Sequence, residues 1–144
     1  MALFARDLVA YLDAQSTKFT VGTNLFYDAI TETTGRAAFV VSYAGFPSID
    51  KFSGTLPAMT QPRAQVVVRT TKPVGGSGIA KSTGTEQLAH DAWDILHVAN
   101  AAVNSVTYQR VVPLQEPFFL EHDQSGRSKY VFNVAGIRTP STQG

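Results

Sequence analysis

The sequence contains no cysteine. That excludes a disulfide scaffold, a thiolate zinc site and a cysteine nucleophile. It is also poor in charge: 16% of its residues are Asp, Glu, Lys or Arg, against about 25% in ordinary soluble domains. Twelve basic residues nearly balance eleven acidic ones, leaving a net charge of +1. Nothing global therefore attracts a polyanion, and sequence-independent nucleic-acid binding is not favoured. No run approaches the ~18 apolar residues of a membrane span. Arg6, Asp7 and Asp13 interrupt the first fifteen residues, so no secretory leader is expected there and the chain is expected to be soluble. There is no G-x-S-x-G elbow or other recognisable nucleophile setting. The reading is of a protein that is not an enzyme, with no catalytic residue, cofactor or metal.

The chain has 144 residues, 44% of them hydrophobic. That fits one domain with one core, which buries roughly two-thirds of the unfolded surface at this size. The domain is expected over residues 1–138, followed by a flexible tail over 139–144. A low charge fraction without a long apolar run points to a surface partly covered by other protein.

Phe4, Leu8, Tyr11 and Leu12 recur at helical spacing and predict a first helix over Leu3–Gln15. Short strands are predicted at Leu25–Ile30 and Arg36–Tyr43, the latter apolar on both sides and hence central. Ala44–Pro62 holds three prolines and two glycines and reads as a long loop. Arg63–Thr70 is predicted as a strand centred on Val66, Val67 and Val68, followed by a glycine-rich loop over Lys72–Ser82. A second helix is expected from Thr85 to about Val103. Its start is marked by Thr83 and Glu86 at capping-box spacing, and its core stripe is Leu88, Ala92, Ile95, Leu96, Ala99 and Val103. Strands at Val106–Val112 and Lys129–Ile137 close the sheet, with Phe118–Leu120 resuming a strand after Pro117 and a turn at Asp123–Gly126. The expected fold is α+β: one mostly antiparallel sheet of about four to five strands, with both helices on one face.

Three features invite a chemical reading. Gly75–Ser82 lies between a strand and a helix, where a phosphate-binding loop belongs. However, Ala80 occupies the position at which G-x-x-x-x-G-K-[ST] needs its second glycine, so a nucleotide-binding domain using Lys81 is only an alternative. Glu86, His90, Asp94 and His97 share one face of the second helix. With no fourth ligand evident, that face reads as a polar solvated or subunit-facing surface rather than a metal site. The third feature is apolar side chains on connecting segments: Phe46, Ile49, Phe52 and Leu56 beside Lys51, and Phe118 and Phe119 near His122. These eight are candidate protein-interface residues, because exposed apolar patches mark protein contacts.

Several segments, in order, resemble the siphophage tail terminators, a family of minor capsid proteins that join head to tail. Phe4–Leu12 (F-A-R-D-L-V-A-Y-L) is similar to the family's D-[LI]-x-x-Y-L opening helix. Ala38–Pro47 matches a strand and turn ending in glycine, an aromatic residue and proline; Pro62–Arg69 (P-R-A-Q-V-V-V-R) follows in order. Ala89–His97 is close to A-x-x-[IL]-x-[DE]-x-L-H, and Leu114–Arg127 to Q-x-P-x-x-[IL]-x-x-D-x-x-G-R. Pro73–Ser82 departs from the family by its length. The resemblance implies a hexameric ring in the virion, assembled in the host cytoplasm, which ends tail-tube polymerisation. Its partners would be the tail tube protein and the head connector or stopper, with genomic DNA passing through the lumen without sequence-specific binding. Another neck component, a stopper or minor capsid protein, is the alternative within the same virion. Candidate ring or lumen contacts are Arg69, Lys72, Lys81, His90, Asp94 and His97, with Arg63 and Lys129 as further lumen cations.

Overall fold

The computed structural model describes residues 4–27, 36–50, 57–69, 78–103, 106–122 and 128–138. Its elements in chain order are α1 (Phe4–Gln15), β1 (Leu25–Tyr27), β2 (Ala37–Asp50), β3 (Pro57–Arg69), α2 (Gly78–Ile95), β4 (Val98–Val103), β5 (Val106–Pro113), β6 (Phe118–His122) and β7 (Ser128–Arg138). They build one seven-stranded sheet in the order β1-β2-β3-β7-β5-β4, with β6 also paired to β7. The β1–β2 pair is parallel and the others are antiparallel. The fold is α+β and mostly antiparallel as expected, but with more strands than four or five.

Strand alternation sorts the sheet into two faces. Ala38 pairs with Val68, Val40 with Val66, Val66 with Phe132 and Ala64 with Val134, so these residues share one side. All are buried in a single cluster with Phe4, Leu8 and Leu12 of α1 and Ala89, Ala92 and Leu96 around α2, which places both helices on that side. Each fully buried Leu or Phe contributes ~1.5–3 kcal/mol, so this layer dominates the stability. The reverse face carries Val67 and Val131, also buried, among half-buried Arg63, Gln65, Arg69 and Asn133.

Two sequence expectations are corrected here. Ala44–Pro62 is not one long loop: β2 runs through Asp50 and β3 begins at Pro57, so Phe46 and Ile49 stand on a strand opposite Gln61 and Met59. The register slips between Tyr43 and Phe46 and again between Phe46 and Ile49. Each slip inserts one extra residue, as β-bulges do, and that erases the period-2 pattern. Among the described residues β1 pairs only with Ala38–Val40, so the outer part of β2 is a sheet edge, where Pro47 is tolerated.

The second correction concerns α2, which starts at Gly78 and ends at Ile95. Thr83 and Glu86 therefore lie inside the helix and form no capping box, and the end of the expected glycine-rich loop is helical. An internal glycine costs about 1 kcal/mol relative to alanine; at Gly84 it leaves room for the end of the Arg36 side chain. A Cβ there would lie 2.5 Å from Arg36 Nη2, and Arg36 Nε donates to buried Thr85 Oγ1 at 2.8 Å. At the other end, the 2.8 Å contact between His97 Nδ1 and the Trp93 carbonyl oxygen caps the last turn. Because a carbonyl only accepts, the ring nitrogen carries the proton. The chain then turns into β4, so Ala99 and Val103 belong to a strand and not to the helical stripe; Val103 is buried from there.

Gly136 marks the tightest approach between layers. A Cβ at this position would lie 2.8 Å from Phe4 Cε1 and 3.3 Å from Tyr108 Cε1, both ring atoms of the core. Gly136→Ala is expected to destabilise the fold by about 1–3 kcal/mol, the usual range for overpacking. A lowered urea midpoint with unchanged slope would show it, and an unchanged midpoint would contradict this packing.

Candidate functional site

Buried charge is concentrated at one place. Asp7 of α1, 3% exposed, accepts a hydrogen bond from the fully buried Tyr108 hydroxyl at 2.7 Å. Arg138 Nη1 donates to the same hydroxyl at 2.7 Å and lies 3.6 Å from Asp7 Oδ2. Its Nε reaches Thr60 Oγ1 at 3.4 Å, and the Phe4 and Tyr108 rings pack with centroids 5.6 Å apart. Acid, phenol and guanidinium together resemble a catalytic set, but Asp7 and Tyr108 are sealed from any substrate. The group instead pins α1, β3, β5 and β7 to one another. Burial, and then the bond to Asp7, push the Tyr108 hydroxyl well above the ordinary tyrosine pKa.

The surface is where the protein can meet other molecules. Of the predicted interface residues, Phe118 and Phe119 are exposed at 42% and 45%, and they are joined by Leu114 at 45% and Leu120 at 47%. The peptide N–H of Leu114 donates to the Asn133 carbonyl, and Gln115 Oε1 accepts from the Asn133 N–H, so the approach to β6 is fixed. Phe119 leans on Tyr130 with ring centroids 6.0 Å apart. β6 pairs along one side with β7 and has no other strand partner among the described residues, so it forms a second open edge. His122 ends β6 opposite Ser128. Phe46 and Ile49 stand on β2, as described, while Lys51, Phe52 and Leu56 lie outside the described residues.

The proposed ring and lumen residues divide between two places. Arg63, Arg69 and Lys129 share the reverse face of the sheet, with Arg69 directly across from Lys129. Like charges so placed repel, and Glu121 of β6 offsets this by pairing with Lys129 at 3.6 Å. Lys81 stands on α2 and Lys72 lies outside the described residues. Gly78–Lys81 are helical, so only Gly75–Ser77 of the tempting phosphate loop precedes the helix, and these three lie outside the described residues.

His90, Asp94 and His97 do not converge on a metal position. His97 Nδ1 is committed to a backbone carbonyl, and among the described residues no three His, Asp or Glu side chains are grouped to hold an ion. The two histidines flank Trp93 instead, with ring centroids 6.2 and 4.6 Å from the indole, both edge-on. Among the described residues no helix is long and apolar enough to cross a membrane. No protein-family model and no curated protein sequence matches the chain.

Sequence reasoning missed two features. Asp7 lies between the expected core positions of α1, and no local signal connects it to a tyrosine 101 residues away. The other is a groove beside α1, of about 630 Å³, lined by Arg6, Val9, Ala10, Asp13, Val21 and Tyr27. Val21, 50% exposed, is its one legible sign: a large apolar residue outside any predicted element.

Two predictions follow from this geometry. Because the Tyr108 pKa is raised on folding, its contribution is fully present below the unfolded value of about 10 and is lost as pH rises above it. Tyr108→Phe is therefore expected to be less stable than wild type at pH 7 and to lose less stability than wild type between about pH 9 and 11. Parallel stability curves for the two proteins would refute the buried-phenol reading. Trp93 is the sole tryptophan. Its fluorescence spectrum should change in His97→Ala, which removes the ring 4.6 Å from the indole. An unchanged spectrum would contradict the edge contacts.

Proposed function

We propose that this chain is a ring-forming structural protein of a phage virion, a tail terminator that ends tail-tube polymerisation and joins the tail to the head connector. The observation that carries the reading is the exposed apolar run Leu114, Phe118, Phe119 and Leu120 on an open sheet edge. Four large apolar side chains, each more than two-fifths exposed, lie along β6 and the segment before it, with Phe118 and Phe119 on opposite sides of the strand, and exposed apolar surface of this kind marks contacts with partners. They also lie within Leu114–Arg127, one of the segments that resemble the family. A ring closes by repeating one heterologous contact around an axis, and six copies is the number that the resemblance implies.

The rest of the surface is compatible with that work. The sheet's reverse face gathers Arg63, Arg69 and Lys129 among amides, which suits a wall past which DNA slides without being gripped. The net charge of +1 keeps such contact weak. The open edges at outer β2 and at β6 offer backbone groups for neighbouring subunits or for the tube and connector. Nothing in the reading calls for catalysis.

Purified protein is expected to give a ring-sized species in native mass spectrometry and light scattering. Leu120→Asp should convert it to monomer while leaving far-UV circular dichroism unchanged. Wild-type protein that stays monomeric at high concentration, and does not bind the ends of purified tail tubes, would overturn the proposal.

A further inference from the structure

We propose that the apolar ridge on β6 of one copy seats in the groove beside α1 of the next, and that this is the contact from which the ring is built. The inference rests on the ring reading and names the two surfaces that would make it.

Among the described residues, the exposed large hydrophobics are Val21, Leu114, Phe118, Phe119 and Leu120. Four of them lie on β6 and the segment before it, and Val21 stands on the rim of the groove. The groove has room for the ridge. A cavity of ~150 Å³ holds one benzene ring. Phe118 and Phe119 point to opposite sides of β6, so the groove of about 630 Å³ can take one phenylalanine ring with Leu120 beside it.

The rim is held in place. Gly22 adopts a left-handed φ of +87°, the Thr20 N–H donates to Asn24 Oδ1 at 2.7 Å, and Asn24 Nδ2 donates to the Lys18 carbonyl at 2.7 Å. This turn holds Val21 out of the core. α1, the groove's other wall, is fixed by the Asp7 network.

The placement of the two surfaces selects a second copy as the occupant. The groove includes Tyr27 of β1, at one end of the sheet, whereas β6 lies on the far side of β7. Four interstrand steps of ~4.8 Å separate β1 from β6, roughly 19 Å. One chain thus carries a protruding and a receiving surface on opposite flanks, and rotation about a ring axis lets every copy use both. Any other single partner would cover one surface and leave the other bare.

Charge fits as well. Exposed Arg6 and Asp13 stand at the two ends of the groove, seven residues and roughly 10 Å apart along α1. Exposed Glu116 precedes β6. Laid with Glu116 against Arg6, that end of the contact finds an opposite charge.

The absence of native cysteine allows a direct test by disulfide trapping. In the Ala10→Cys, Leu120→Cys double variant, oxidation should give a ladder of covalent multimers that ends at the closed ring, whereas either single variant should give none. Arg6→Glu should lower the cross-linked yield roughly tenfold, and adding Glu116→Arg should restore it. Ring-sized assemblies that do not cross-link would overturn this contact and leave the ring reading standing. Dimers from Leu120→Cys alone would show an isologous contact and also overturn it. A chain that never assembles would remove both.

Discussion

One phenol hydroxyl ties the first helix to two strands of the sheet. Tyr108 donates to Asp7 and accepts from Arg138 within 2.7 Å on either side, so a helix and the last strand of the sheet meet through a single oxygen. Stripping water from a carboxylate and a guanidinium is expensive, and the pair is tolerable only because each has partners of good geometry. Removing any one member takes a hydrogen-bond or ion-pair partner from a buried group. The shape of the rest follows. α1 can lie close to the sheet because Gly136 leaves room for Phe4, and the groove along its outer side exists because its inner side is fixed.

Much of the fold was legible in the sequence. α1 was visible because its apolar stripe is uninterrupted, and β3, β5 and β7 because Val66–Val68, Val106–Val112 and Lys129–Ile137 are rich in strand formers. The errors have physical causes. Outer β2 was hidden by two bulges and a proline that break alternation without breaking pairing. The first turns of α2 were hidden by Gly75, Gly76 and Gly78 and by the capping-box spacing of Thr83 and Glu86, which fall inside the helix. The far end of α2 was overextended because Ala99 and Val103 continue the helical spacing by chance after His97 has capped the helix.

The candidate surfaces were half legible. Phe118 and Phe119 stood out because aromatic residues after a proline are unusual in a connection, and they are exposed. The groove was invisible, since it depends on how α1, the Gly22 turn and β1 come together. Of the four residues expected on one face of the second helix, Glu86, His90 and Asp94 lie on α2, whereas His97 falls beyond its end at Ile95. The sequence could not reveal that Trp93 sits between the histidines and that one of them closes the helix.

The Asp7–Tyr108 bond also bears on the order of folding. It joins residues 101 positions apart, and Arg138 completes it from the last described strand. Contacts this distant form late, because loop closure must precede the gain they bring. During synthesis the first helix can pack on β1, β2 and β3 as they emerge, but its buried carboxylate gains the tyrosine only once β5 is made and the guanidinium only with β7.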